Sequence, residues 1–100
     1  MVPSLPSLNA LRAFEAAERH LNYRRASEEL HVSAGAVKQL VAKLEESLGQ
    51  RLLVRRGRSL ALTPAGTAGL RRLSPAFREI ADAVEAMGGT QQRRRLILSV

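Results

Sequence analysis

Three clusters of cationic and hydrogen-bonding side chains punctuate this sequence: Arg24 with Arg25, then Lys38, Gln39 and Lys43, then Arg55, Arg56 and Arg58. Guanidinium and ammonium groups bind phosphate oxygens, and lysine and glutamine also donate hydrogen bonds to base edges. No acid lies between Arg51 and Thr63, so the arginines there repel one another until a polyanion faces them. Arg24 and Arg25 fall where a helix should begin, and at that place guanidinium and backbone N–H groups can hold a phosphate together. Each cluster also has a plainer reading, which for Lys38, Gln39 and Lys43 is the polar side that any surface helix carries. Arg24 and Arg25 can be solvated and balanced by Glu28 and Glu29 one helical turn on, and the later arginines can simply keep a turn soluble.

These groups act only if the chain positions them. A helix is predicted from Tyr23 to Leu30 with Asn22 as N-cap, because an amide oxygen accepts the unpaired N–H groups of a first turn. Its Ala26 and Leu30 face inward, and Ala26 is small enough for a tight helix crossing. His31 and Val32 leave room only for a sharp turn before Ser33 caps the next helix. There Val37, Leu40, Val41, Leu44 and Leu48 recur at helical spacing as an apolar stripe, leaving Ala34, Gly35, Lys38, Gln39, Ala42 and Lys43 outside. The small residues of that outer face let the backbone approach a groove floor. Gly49 supplies a left-handed stop. Leu52 to Val54 and Leu60 to Leu62 follow as β-prone runs, joined by a turn in which Gly57 takes positive φ, with Arg55, Arg56 and Arg58 at the tip. Tandem helices followed by such a hairpin make a mainly α fold, a winged helix-turn-helix with a two-stranded wing.

Flanking elements complete the layout. A first helix from Leu8 to about His20, with Ser7 as N-cap, supplies a scaffold through Leu11, Phe14 and Ala17. Ahead of it Pro3 and Pro6 have the spacing of a polyproline ligand, but the segment before the cap reads as a disordered arm. Beyond the wing, Thr63 caps and Pro64 opens a long helix in which Leu70, Leu73, Phe77, Ile80, Val84 and Met87 recur at intervals of three and four. A second copy is the expected cover for this stripe, which makes the helix a dimerisation element; packing on the chain's own core is the alternative. Pro75 deletes one backbone hydrogen bond and is expected to bend or divide the helix, at a cost of about 3 kcal/mol if uncompensated. Gly88 and Gly89 end it. Arg93-Arg-Arg-Leu-Ile-Leu-Ser-Val100 then begins a strand-like pattern, with a basic tail adding phosphate contacts as the other reading.

Composition narrows the functional classes. One hundred residues, 45% hydrophobic, suffice for one small core. Only Phe14, Tyr23 and Phe77 are aromatic, so stacking platforms for single-stranded bases are scarce and a duplex fits better. The net charge of +7 comes from ten basic and six acidic residues through Thr63 and from six basic and three acidic residues beyond it. Charge alone suits nucleic acid or an anionic membrane. No apolar run approaches the ~20 residues that span a bilayer, and Met1 to Ser7 lacks the basic start and apolar core of a signal peptide, so a cytoplasmic location is expected. Without cysteine there is no disulfide, thiolate metal site or cysteine nucleophile. His20 and His31 read as capping or packing residues, and no metal site is expected. Glu28 with Glu29 and Glu45 with Glu46 are adjacent pairs that point about 100° apart on a helix and do not converge as an acid–base couple. Neither a phosphate-binding glycine loop nor a nucleophile elbow occurs, so neither enzymatic activity nor a cofactor is expected.

From Leu8 to Gly66 the chain resembles the N-terminal DNA-binding domain of LysR-type transcriptional regulators. The resemblance is carried by Leu8-Asn-Ala-Leu-Arg-Ala-Phe14, Arg25-Ala-Ser-Glu-Glu-Leu-His-Val-Ser33, Leu44-Glu-Glu-Ser-Leu-Gly49 and Leu60-Ala-Leu-Thr-Pro-Ala-Gly66. It implies a bacterial regulator that binds an interrupted palindrome in double-stranded DNA as a dimer or higher oligomer, a homodimer forming through the helix after the wing and a tetramer being open to the full-length protein. A C-terminal effector domain responding to a small molecule is also implied, with Leu96 to Val100 as its first strand. Residue by residue, Ser33 would cap the recognition helix and touch phosphate, Ala34, Gly35, Lys38 and Gln39 would face the major groove, and Arg55, Arg56 and Arg58 would belong to the wing. The sequence departs from the family pattern in placing Lys38 where serine is common, Gln39 where arginine or histidine is common and Leu40 where glutamine is common. Ala34 and Gly35 lack side-chain donors, so direct readout is expected to rest on Lys38 and Gln39, with DNA shape contributing more.

The expected organisation is an arm at 1–7, a DNA-binding domain at 8–63 with tandem helices at about 23–42 and a wing at about 51–63, a linker helix at 64–89, and the start of an effector domain at 90–100. Two other classes share parts of the pattern. A nonspecific, nucleoid-type DNA binder would hold random duplex almost as tightly as any chosen site, and a helical protein-interaction module would ignore DNA.

Overall fold

The computed structural model describes residues 5–89; the expectations for 1–4 and 90–100 lie outside them. Along the chain run α1 (Leu8–His20), α2 (Tyr23–Leu30), α3 (Ala34–Leu48), β1 (Leu53–Arg56), β2 (Ser59–Leu62) and α4 (Pro64–Val84). The chain divides into two compact units after Leu70.

In the first unit, helix boundaries follow from local chemistry. Ser7 Oγ accepts the Ala10 N–H at 3.4 Å, Asn22 Oδ1 that of Arg25 at 2.9 Å, and Ser33 Oγ that of Ala36 at 3.0 Å. Each cap satisfies a donor that the first helical turn leaves without an internal partner. At the other ends Leu21, His31 and Gly49 take left-handed φ of 54°, 58° and 66°, which turns the chain out of the helix.

Ala13, Ala17 and Ala26 are fully buried, and their small side chains let α1 approach α2 and α3 closely. Phe14, Val37, Val41 and Leu44 fill the space between the helices, and Leu52, Leu53 and Leu60 extend the core beneath the hairpin. Leu48, expected in the buried stripe, is half exposed at the very end of α3.

The hairpin is antiparallel, pairing Leu53 with Leu62, Val54 with Ala61, Arg55 with Leu60 and Arg56 with Ser59. Gly57 alone in the two-residue turn has positive φ, 59°, the pattern of a type II′ connection that matches strand twist. The strands sit nearer the tip than the apolar runs suggest. Leu52 falls outside β1, its N–H held by the Glu45 carboxylate at 2.8 Å, whereas Arg55 and Arg56 join the ladder. Thr63 closes the hairpin: its N–H donates to the Leu52 carbonyl at 3.0 Å, its hydroxyl donates to the Arg51 carbonyl, and the same oxygen accepts the Gly66 N–H at 3.1 Å.

α4 runs through Pro75 as one helix. Of the bend or division expected at Pro75, the division does not occur, since the fixed φ of proline is itself helical. After Val84 the winding widens over Glu85–Gly89, where Gly88 reaches φ 130°. Within the second unit Leu73 and Phe77 are partly exposed, and Ile80, Val84 and Met87 expose 44%, 46% and 79% of their surface. No described helix is long and apolar enough to cross a membrane.

Candidate nucleic-acid interface

The outer face of α3 is open. Gly35, Lys38, Gln39, Ala42 and Lys43 are exposed and Ala34 is half buried, while Val37, Val41 and Leu44 of the opposite face fill the core. Ser33, Gly35, Ala36, Lys38, Gln39 and Ala42 line one shallow hollow along this face. Its floor is backbone and methyl groups, so only Ser33, Lys38 and Gln39 bring side-chain hydrogen-bonding groups to it.

Beside it lies a second depression in which three elements meet. Arg24 from the first turn of α2, Lys38 from α3 and Arg55 and Arg58 from the hairpin line it, with Tyr23, Asn22 and Leu60. Strand alternation sorts the wing arginines, because Arg55 is paired with the buried Leu60 whereas Arg56 is paired with the exposed Ser59 on the other face of the ladder. The hydrogen bond from the Leu60 N–H to the Leu21 carbonyl, 3.4 Å, fastens β2 to the turn before α2 and brings the hairpin cations toward Arg24. Arg25, Lys43 and Arg56, also candidates from sequence, are exposed but do not line this depression.

The four cations are unneutralised. Arg19 pairs with Glu15 and Glu29, and Arg51 with Glu45, while no ion pair of the described residues involves Arg24, Lys38, Arg55 or Arg58. The supposed balance of Arg24 and Arg25 by Glu28 and Glu29 does not form, because Glu29 turns toward α1 instead. There Oε1 accepts from Arg19 Nη1 and Oε2 from Arg19 Nη2, each at 2.7 Å, and Oε1 also lies 2.7 Å from His20 Nε2. The Arg19 guanidinium, with help from His20, holds the Glu29 carboxyl down at about 2. Arg19 itself is raised above the ordinary arginine range by the same bonds and those to Glu15. Burial, reinforced by Glu45, lifts the Tyr23 phenol above its ordinary value, so the ring presents a neutral face at physiological pH.

Two further contacts of the site escape sequence reasoning. The Lys38 ammonium stands 5.7 Å from the centroid of the Tyr23 ring. Glu45 Oε2 accepts the N–H groups of Leu52 and Leu53 at 2.8 and 3.2 Å and lies 3.4 Å from Arg51 Nε, pinning the root of the hairpin to α3. Glu45 is one of the adjacent glutamates that showed no convergent chemistry, and its half-buried carboxylate is structural. No cluster of three or more metal-ligating side chains occurs among the described residues.

Residues 8–67 match the family model described as the bacterial regulatory helix-turn-helix protein, lysR family. The whole chain is 39% identical over 100 residues to the glycine cleavage system transcriptional activator of Escherichia coli, covering 33% of that protein. It is 47% identical over 91 residues to the HTH-type transcriptional activator AmpR of Pseudomonas aeruginosa, which takes in 91% of this chain and 30% of that one. The BenM_DBD/catB site 1 DNA complex superposes with a TM-score of 0.75 at 25% identity, covering 81% of this chain and 91% of the other. The chain thus spans about one third of the length of the curated relatives it matches.

Proposed function

Because the chain belongs to the LysR family of bacterial regulatory helix-turn-helix proteins, we propose that it binds a defined double-stranded DNA sequence and regulates transcription from it. α3 enters the major groove with Ser33, Ala34, Gly35, Lys38 and Gln39 toward the duplex and Lys43 toward its rim. Arg24, Arg25, Arg55, Arg56 and Arg58 engage the phosphates, the hairpin lying at the minor groove. The observation that carries this reading is the convergence of four unneutralised cations from α2, α3 and the hairpin beside an open helix face. Such charge is self-repelling alone and favourable against a polyanion whose counterions it releases. The relatives, named as transcriptional activators, and the solved DNA complex support the same reading.

The protein works as a homodimer. Leu70, Leu73, Phe77, Ile80, Val84 and Met87 of the long helix face a second copy, and the exposure of Ile80, Val84 and Met87 in the single chain supports this. Two copies turn a half-site into an interrupted palindrome. The full-length regulator adds an effector-binding domain for a small molecule and the capacity to form a tetramer. It operates in the cytoplasm, where bacterial DNA lies, and its role is regulation, not catalysis.

Selection of bound duplexes from a random pool tests the proposal. Enrichment of a two-part inverted repeat is expected. Retention of the pool without enrichment would instead mark a nonspecific binder, and no retention at low ionic strength would mark a protein-interaction module.

A further inference from the structure

Lys38 belongs to two surfaces at once. It borders the hollow along α3 that Gln39 shares, and it lines the depression that holds Arg24, Arg55 and Arg58. A lysine stem is flexible enough to send its ammonium either way. In the structure the ammonium stands over the Tyr23 ring at 5.7 Å, within the ~6 Å at which a ring face attracts a cation. Tyr23 is the first residue of α2, half buried, and lines the depression with the arginines. The ring therefore holds the lysine head on the phosphate side and away from the helix face that would lie over base edges. Gathering a fourth cation there is unfavourable in the free protein, since none of the four is ion-paired with a carboxylate. The ring offsets part of that repulsion, and an anion shared by the four groups would remove the rest.

We propose that Lys38 is a ligand of a duplex phosphate, with Tyr23 as its positioning residue, and that Gln39 is left as the principal base-reading side chain of α3. The inference rests on the DNA-binding reading above and narrows it: of the two donors on the helix face, one sets affinity and the other sets sequence.

The test measures the binding of this chain to a selected duplex and to a random duplex across a salt series. Lys38→Ala is expected to weaken both by the same factor and to lower the slope of log affinity against log salt by about 1. Gln39→Ala is expected to weaken the selected duplex alone. Tyr23→Leu, which keeps apolar bulk without a ring face, is expected to cost about twofold to fivefold on both duplexes. Tyr23→Phe restores the ring and should bind as the parent does. Adding Tyr23→Leu to Lys38→Ala should cost nothing more, and that non-additivity is a readout a merely structural tyrosine would not produce. A loss confined to the selected duplex in Lys38→Ala overturns the inference while leaving DNA binding intact, as does full additivity of the two substitutions. A parent chain that binds no duplex overturns both readings, so the two failures are distinguishable.

Discussion

Glu45 accepts the backbone N–H of Leu52 at 2.8 Å, and this one bond fixes where the hairpin leaves α3. The same oxygen takes the Leu53 N–H, so removing it strands two part-buried donors at the root of the wing. Glu45→Ala is expected to destabilise the domain by about 2–3 kcal/mol, measured by urea unfolding, because bonds to charged acceptors are stronger than neutral ones. Glu45→Gln keeps an acceptor oxygen and should recover about half of that loss.

Gly66 and Gly69 sit one turn apart on α4, and substitution by alanine should change stability in opposite directions. A Cβ on Gly66 would overlap the Leu52 carbonyl oxygen and lie 3.0 Å from Leu62 Cδ2, whereas one on Gly69 meets nothing within 4 Å. Gly66→Ala is expected to lose about 1–3 kcal/mol through overpacking against backbone. Gly69→Ala should gain up to about 1 kcal/mol from helix propensity. Thermal melts of the two variants check the signs.

Glu29 gives the domain an acid-sensitive brace between α1 and α2. Its carboxyl is held near 2, below the ordinary 4.5, by Arg19 first and then by His20. A depressed carboxyl pKa contributes stability that is complete above about 4.5 and is lost as the pH falls toward 2. The Glu29 side chain is 37% exposed, so solvent screening limits the contribution to less than about 1 kcal/mol. Glu29→Gln should therefore be slightly less stable than the parent at neutral pH and indistinguishable from it at pH 2, as urea titrations at the two values would show.

The strand pairing also ranks the wing arginines. Arg55 and Arg58 line the depression with Arg24, whereas Arg56 lies on the other face of the ladder. Arg55→Ala and Arg58→Ala are each expected to lower the salt slope of duplex binding by about 1, uniformly across sequences. Arg56→Ala should change it less, and an equal change for all three in a salt titration would contradict the division.

What the sequence revealed was local. Asn22, Ser33 and Thr63 cap helices with their own side chains, and Gly49 and Gly57 take positive φ at turns that demand it, so composition over a few residues suffices to place them. The buried stripe of Val37, Val41 and Leu44 follows from the helical period in the same way. The rest depends on contacts between elements. Nothing near Glu45 in sequence announces that it will meet Leu52 seven residues on, across the end of a helix. Glu29 has Arg25 at helical spacing, yet it pairs with Arg19 ten residues back, because the crossing of α1 and α2 places a bidentate guanidinium closer. The Lys38–Tyr23 contact is of the same kind, joining residues fifteen positions apart on different helices, whereas sequence shows only the face of α3 on which Lys38 lies.

If α3 occupies the major groove, it shields guanine N7, an atom on the floor of that groove, from methylation by dimethyl sulfate. With this chain bound to a duplex selected from a random pool, N7 atoms should be protected in two patches about one helical turn or a multiple of it apart. Tight binding that leaves every N7 as reactive as in free DNA would contradict that placement of α3.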